Sequence, residues 1–204
     1  MPVKNNREYR NLGSFEPSEN YITEGYASTF EPYLLFKDGD MEFYEEIDPR
    51  AFDDADMSDV VFLRDHSGSV LARTKNGSIE LSVDSHGLKT RTDLSLTERS
   101  REMYEDIAVK NYTQMSFSFI VGEDTYIEKG NQIVRHVNSI KKIFDISAVA
   151  FPANPATDIG ISYRSLFDGV IEKREAERLK SEMIAKAKAK LRLKLKLEGE
   201  TNGN

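Results

Sequence analysis

Between residues 21 and 151 the sequence is a series of short β-rich runs separated by turn residues, and this pattern strongly limits the possible folds. The first runs are Tyr21–Phe30, Met41–Ile47 and Val60–His66. Asn76 and Gly77 then stand between two further runs, which predicts a hairpin across residues 70–83. Contiguous short strands favour antiparallel pairing. We therefore predict a mainly β fold, a closed or nearly closed antiparallel barrel with peripheral helices.

Two segments change to a helical pattern. Ser95 and Glu98 have the spacing of a capping box and open a predicted helix over Ser95–Asn111. From about residue 165 the chain is rich in Ala, Glu, Lys, Arg and Leu, which predicts a helical tail. The pattern does not set the residue at which this helix ends. The predicted organisation is a loose N-terminal arm over 1–20, a β domain over 21–164 and a basic helical tail over 165–204.

Composition excludes several classes of site. The chain has no Cys, which rules out disulfides, thiolate nucleophiles and cysteine zinc sites. It shows neither a signal-peptide pattern nor an apolar run that could span a bilayer, so we expect an intracellular protein without membrane contact. The net charge of −7 combines −11 over residues 1–170 (18 basic, 29 acidic) with +4 over residues 171–204 (10 basic, 6 acidic). The acidic body argues against nucleic-acid binding, whereas the tail is a separate case.

The run Asn111–Val121, NYTQMSFSFIV, carries two serines within the most aromatic predicted strand. As a strand it places Met115, Phe117 and Phe119 on one face, and Ser116 and Ser118 on the other. The aromatic face is the predicted core. The serine face points to solvent, to another layer or to a cleft.

Three histidines are candidates for acid–base chemistry. His86 lies in the predicted turn DSHG and His136 in the middle of a strand, where ordinary exposed or half-exposed positions explain both. His66 ends an apolar strand and precedes a Ser-Gly-Ser loop, which is a common position for catalytic residues.

Asp145 interrupts an otherwise apolar strand, where a carboxylate is costly unless it is paired or hydrogen-bonded. It is either a structural ion-pair member or the residue that orients a histidine, as the acid of a Ser/His/acid triad does. The residues alone leave these alternatives open.

The chain resembles the prohead proteases of tailed bacteriophages, whose fold is similar to that of herpesvirus assemblins. The resemblance covers about residues 25–156 and consists of six motifs in order. They are GYASTF, IDPRAF, VVFLRDH, SHGLKTRTDL, MSFSF and FDISAVAFPANPA. The chain departs from the usual motifs at Arg50 and Ser118, where glycine is usual, and carries Asp145 where glutamate is common.

The resemblance implies a serine endopeptidase with Ser116 as nucleophile, His66 as general base and Asp145 as the third member. His136 is the alternative third member, since the herpesvirus relatives use a second histidine. Backbone N–H groups or a basic side chain would stabilise the oxyanion. No cofactor or metal is implied.

The family role implies partners and a location. The expected partners are the major capsid protein with its scaffold segment, and the protease itself through autocleavage, with a possible homo-oligomer. The expected location is the host cytoplasm, inside the procapsid. Two alternatives remain: an inactive assembly component of the same fold, and a nucleic-acid-binding module that acts through the basic tail.

Overall fold

The computed structural model describes residues 7–150 and 163–201 of the chain, apart from the side chains of a few positions. Strand accounts for 51% of the structure, which confirms the predicted mainly β class. The strands are β1 (Glu8–Pro17), β2 (Ile22–Thr29), β3 (Tyr33–Asp38), β4 (Met41–Ile47), β5 (Val61–Arg64), β6 (Ser67–Arg73), β7 (Ile79–Val83), β8 (Gly87–Asp93), β9 (Gln114–Lys129) and β10 (Gln132–Val149). The long helices are α1 (Glu98–Ala108) and α2 (Asp168–Thr201).

All ten strands belong to one sheet. Eight of them follow the hydrogen-bonded order β3-β4-β10-β9-β1-β2-β8-β7, and β5 with β6 joins this path at β10. The pairs are antiparallel except those of β10 with β4 and β5, which are parallel. Within the described residues the path ends at β3 and at β7 without closing, so the predicted barrel is not confirmed.

The hairpin of β9 and β10 is the central feature of the sheet. Its strands have 16 and 18 residues and meet at a turn where Gly130 has a φ of 62°. The last β-rich residues, 132–149, form one continuous strand, β10. Several register shifts interrupt its pairing with β9 and allow this long strand to bend. The first half of β10 pairs with β4 and the second half with β5, so β10 carries neighbours from distant parts of the chain.

The predicted hairpin across Asn76-Gly77 does not form. Strand β6 pairs with β5, and β7 pairs with β8. The intervening residues make a short 3₁₀ turn that ends at Gly77, whose φ is 76°. The Asn76 side chain accepts a hydrogen bond from the Ser78 backbone N–H at 3.1 Å, so this dipeptide redirects the chain between two hairpins.

The N-terminal segment expected to be a loose arm contains strand β1. This strand pairs with β9 on one side and β2 on the other. Among the side chains of β1 that the structure describes, Glu8 and Arg10 are buried, and both are charged. The pairing of β1 with β9 shifts register between Asn11 and Gly13. At Gly13, β1 also approaches β2 so closely that a Cβ atom would lie 1.7 Å from the Tyr26 carbonyl oxygen.

Helix α1 forms where the helical pattern predicts it, although its first turn differs. Thr97 caps the helix by accepting a hydrogen bond from the Ser100 backbone N–H, so the predicted capping box at Ser95 is not used. Met103 and Ile107 are buried in the core.

The aromatic face of β9 lies in the core, as predicted. Met115, Phe117 and Phe119 are fully buried, and the two phenylalanine rings stack with centroids 4.6 Å apart.

The chain divides into two compact units, 1–163 and 164–204. The second unit contains α2, a helix of 34 residues in the region predicted to be a helical tail. In the described ranges, no helix combines the length and the apolar character needed to cross a membrane. The predicted domain boundaries at residues 20 and 164 stay predictions.

Candidate active site

Four polar residues form a patch on one face of the β9–β10 hairpin. Ser116 pairs directly with Ser147 across the two strands, and Ser118 pairs with Asp145. All four are at most 1% exposed. The serine face of β9 is therefore buried, as the aromatic face is. We call these four residues, together with His66, the hydroxyl cluster.

His66 reaches this patch from the tight turn between β5 and β6. Arg64 pairs with Ser67, so Asp65 and His66 are the two central residues of a two-residue hairpin. Their φ angles are 46° and 55°. Positive φ at both positions is typical of a type I′ turn, where glycine usually takes the second position. A histidine there costs conformational energy, and such strain concentrates at functional sites.

The sheet fixes this turn relative to β10. Strand β5 runs parallel to β10 with Val61 opposite Asp145 and Arg64 opposite Ala148. The Asp65 backbone N–H extends the ladder by donating to the Ala148 carbonyl oxygen at 2.9 Å. The imidazole consequently lies over the β9–β10 patch.

The imidazole of His66 hydrogen bonds through both ring nitrogens. Nδ1 lies 2.5 Å from Oδ1 of Asp145, and Nε2 lies 2.6 Å from Oγ of Ser116. With Nδ1 protonated towards the carboxylate, Nε2 presents a lone pair to the hydroxyl. This tautomer can take a proton from Ser116.

The Asp145 carboxylate is held in its charged form. Burial disfavours the charge, but hydrogen bonds from His66, Ser118 and Ser147 outweigh burial and lower the pKa of Asp145 below its ordinary value. Ser118 Oγ donates to Oδ2, and Ser147 Oγ donates to Oδ1 at 2.8 Å. An ionised carboxylate at this place stabilises an imidazolium on His66.

The three buried serines have different partners. Ser116 is the one whose Oγ meets Nε2 of His66, whereas Ser118 and Ser147 both donate to Asp145. Ser147 Oγ also lies 3.2 Å from Nδ1 of His66, on the acid side of the ring. Only Ser116 is therefore bonded to the basic nitrogen of this tautomer.

The site is closed in this structure. The Ser116 residue is fully buried, and 14% of the His66 side chain is exposed. The Tyr9 ring packs edge-on against the imidazole with centroids 4.7 Å apart. Arg7 lies on the Phe144 ring, with its Nη1 3.9 Å from Oδ2 of Asp145. Access for a peptide requires some of these side chains to move.

The other two histidines lie elsewhere. His136, the alternative third member, hydrogen bonds through Nδ1 to Glu46 and through Nε2 to Asp48, the latter at 3.3 Å. His86 packs edge-on against Tyr26. The acid that bonds to His66 is Asp145.

A second buried polar group was not predicted from the sequence. It consists of Glu8, Arg10, Glu45 and Arg135, which we call the arginine cluster. Arg10 binds Glu45 through two nitrogens at 2.5 and 2.6 Å, and Arg135 binds Glu8 through two nitrogens at 2.6 and 2.9 Å. Burial disfavours both guanidinium charges, but the two glutamates outweigh it and raise the pKa of each arginine.

The sequence contains only a weak signal for this cluster. Glu8 and Arg10 stand at alternate positions, which places them on one face of a strand. Their partners on β4 and β10 are far away along the chain, and no local pattern connects them.

Comparison with known proteins gives one family. The family described as caudovirus prohead serine protease matches residues 9–169 of the chain. No curated protein and no solved structure matches.

Proposed function

Because this chain belongs to the caudovirus prohead serine proteases, we propose that it is the endopeptidase of capsid maturation, with Ser116, His66 and Asp145 as its catalytic residues. The observation that carries this assignment is the bridge made by His66, which joins Oγ of Ser116 and Oδ1 of Asp145 through opposite ring nitrogens. A nucleophile, a base and an orienting acid in this sequence of contacts are the parts that acyl transfer requires.

The proposed reaction has two steps. Nε2 of His66 takes the Ser116 proton while Oγ attacks the peptide carbonyl carbon. Nε2 then gives this proton to the departing amine as the C–N bond breaks, which leaves an acyl ester on Ser116. Water, deprotonated by the same nitrogen, hydrolyses the ester and restores the serine. Asp145 stays ionised throughout and stabilises the imidazolium.

The proposed substrates are scaffold segments of the major capsid protein and the protease chain itself. Cleavage takes place inside the procapsid in the host cytoplasm. We propose that the basic tail from residue 165 contacts the scaffold or the capsid interior, or is removed by self-cleavage, because its charge of +4 beyond residue 170 contrasts with the acidic body. Deletion of the tail should then reduce incorporation into procapsids, and normal incorporation of the truncated chain would contradict this role.

Co-expression with the cognate major capsid protein tests the activity. The wild-type protein is expected to shorten the capsid protein, and Ser116→Ala is expected to leave it intact. Ser82→Ala is the matched control, because Ser82 is an exposed strand serine on β7. Cleavage by Ser116→Ala would disprove the nucleophile. An intact capsid protein with wild type would favour an inactive assembly component.

A further inference from the structure

Ser118 and Asp145 face each other directly in the β9–β10 ladder. Ser118 Oγ donates to Oδ2 of Asp145, while His66 Nδ1 bonds to Oδ1. Both residues are at most 1% exposed. The two carboxylate oxygens are thus divided between a donor fixed on a strand and the imidazole.

Ser118 and Asp145 together fill the buried space between the facing strands β9 and β10. A glutamate carboxylate would extend about 1.5 Å further from β10, the length of one C–C bond. Glycine opposite it would leave room for that extension. In this chain the shorter acid faces the larger residue, which keeps the buried volume filled.

We propose that Ser118 and Asp145 form a coupled pair, in which Ser118 is a positioning residue that sets the carboxylate of Asp145 towards His66. Ser118 acts through Asp145 and does not touch the reacting atoms. The expected effect on the reaction rate rests on the proposed function. The effect of Ser118 on the position of the Asp145 carboxylate does not depend on it.

Other groups also face Asp145, and they do not replace Ser118. Ser147, from the same strand, donates to Oδ1, the oxygen that His66 already uses. Arg7, which precedes β1, packs its guanidinium 3.6 Å from the Phe144 ring centroid and keeps Nη1 3.9 Å from Oδ2. Tyr9 contacts the imidazole ring. Removal of the Ser118 hydroxyl would leave Oδ2, which is buried, without the hydrogen bond from β9.

A double-mutant cycle tests the coupling, with the rate of labelling by a fluorophosphonate probe as readout. Ser118→Gly is expected to lower this rate about tenfold, and Asp145→Glu about 100-fold, because each change alone misplaces the carboxylate. The double variant is expected to recover to within about tenfold of wild type, since glycine makes room for the longer acid. The control is Ser82→Gly combined with Asp145→Glu, which should show no recovery.

The position of the carboxylate has a spectroscopic signature that does not need catalysis. The low-field NMR signal of the His66 Nδ1 proton reports its hydrogen bond to the acid. Both single variants should weaken or shift this signal, and the double variant should restore it. Ser118→Ala, which nearly keeps the volume, should shift the signal even if the glycine variant unfolds.

The outcomes separate the two hypotheses. If wild-type protein reacts with the probe no faster than Ser116→Ala, the proposed function is wrong. The coupling is then tested by the NMR signal of the His66 Nδ1 proton, which the double variant must restore. Wild-type labelling with losses that simply add in the double variant would overturn the coupling and leave the proposed function intact. Recovery in the double variant and in no control supports the pair.

Discussion

The hydroxyl cluster and the arginine cluster are two buried polar groups on the same sheet, and they differ in how charge is balanced. In the arginine cluster every charge faces an opposite charge: Arg10 and Arg135 lie between Glu8 and Glu45. In the hydroxyl cluster one carboxylate is held by neutral serine donors and by an imidazole. The ion pairs of the arginine cluster keep both guanidinium groups protonated. In the hydroxyl cluster, one proton can move between Oγ of Ser116 and Nε2 of His66.

The difference teaches that buried charge alone does not identify a catalytic site. The pKa of Arg10 is raised well above its ordinary value by the nearby Glu45, in spite of burial, so this guanidinium cannot serve as a base. His136 makes the same point, because both its ring nitrogens meet carboxylates and neither meets a hydroxyl. Covalent catalysis by a serine requires a general base next to its hydroxyl.

The largest expected effect concerns the charge of Asp145. Asp145→Asn keeps the shape but removes the charge that selects the His66 tautomer, and we expect the rate of fluorophosphonate labelling to fall about 10⁴-fold. Circular dichroism should show an unchanged fold. A fall of less than tenfold would mean that Asp145 stabilises the fold, as the arginine cluster does, and does not orient His66.

The arginine cluster should contribute more to stability than an exposed ion pair does. Glu45→Ala leaves two buried guanidinium groups short of a partner, and we expect the free energy of unfolding to fall by about 3–5 kcal/mol. Urea denaturation measures this loss. The matched control is Glu46→Ala, the next residue on β4, whose partly exposed hydrogen bond with His136 should contribute about 1 kcal/mol or less. Similar losses in both variants would refute the distinction.

Ser147 should have a smaller, pH-dependent effect. Its hydroxyl helps to lower the pKa of Asp145, so it stabilises the fold above the ordinary aspartate pKa, and this stabilisation is lost as pH falls through the lowered value. We expect Ser147→Ala to lower the free energy of unfolding by about 1–2 kcal/mol at pH 7. The difference from wild type should shrink below about pH 4. Ser82→Ala should show no such pH dependence, and an equal loss at all pH values for Ser147→Ala would contradict the assignment.

The smallest effect is expected at His136. His136→Gln removes two partly exposed contacts and should change the free energy of unfolding by about 1 kcal/mol or less. The labelling rate should be unaltered, because the side chain bonds to Glu46 and Asp48. A large loss of labelling in a folded His136→Gln variant would mean that His136 belongs to the active site.

Local patterns in the sequence predict much of this molecule. The alternation in β9 predicts its core face, and the motifs single out His66, Ser116 and Asp145, whose side chains the fold brings together. The sequence predicts no strand at β3, and it predicts a loose arm at β1 because residues 1–20 are polar and mixed. The predicted motif residues 151–156 lie outside the described residues.

What the sequence could not predict depends on long-range pairing. Asn76-Gly77 has the composition of a hairpin turn, but β6 is already paired with β5 through the turn at Asp65 and His66. Because Asp65 and His66 contain no glycine, the sequence predicts the end of a strand there and no hairpin turn. The bond between Ser118 and Asp145 likewise depends on the register of β9 against β10, which local sequence does not determine.

We propose Ser116, and neither Ser118 nor Ser147, as the nucleophile of the hydroxyl cluster. Ser118 and Ser147 lie in the same buried patch, so an adduct on either serine can be compared directly with an adduct on Ser116. The most direct measurement is mass-spectrometric mapping of the residue that carries the fluorophosphonate adduct in wild type and in His66→Ala. We expect an adduct on Ser116 in wild type and almost none in the variant. An adduct on Ser118 or Ser147, or equal labelling of Ser116 without His66, would contradict it.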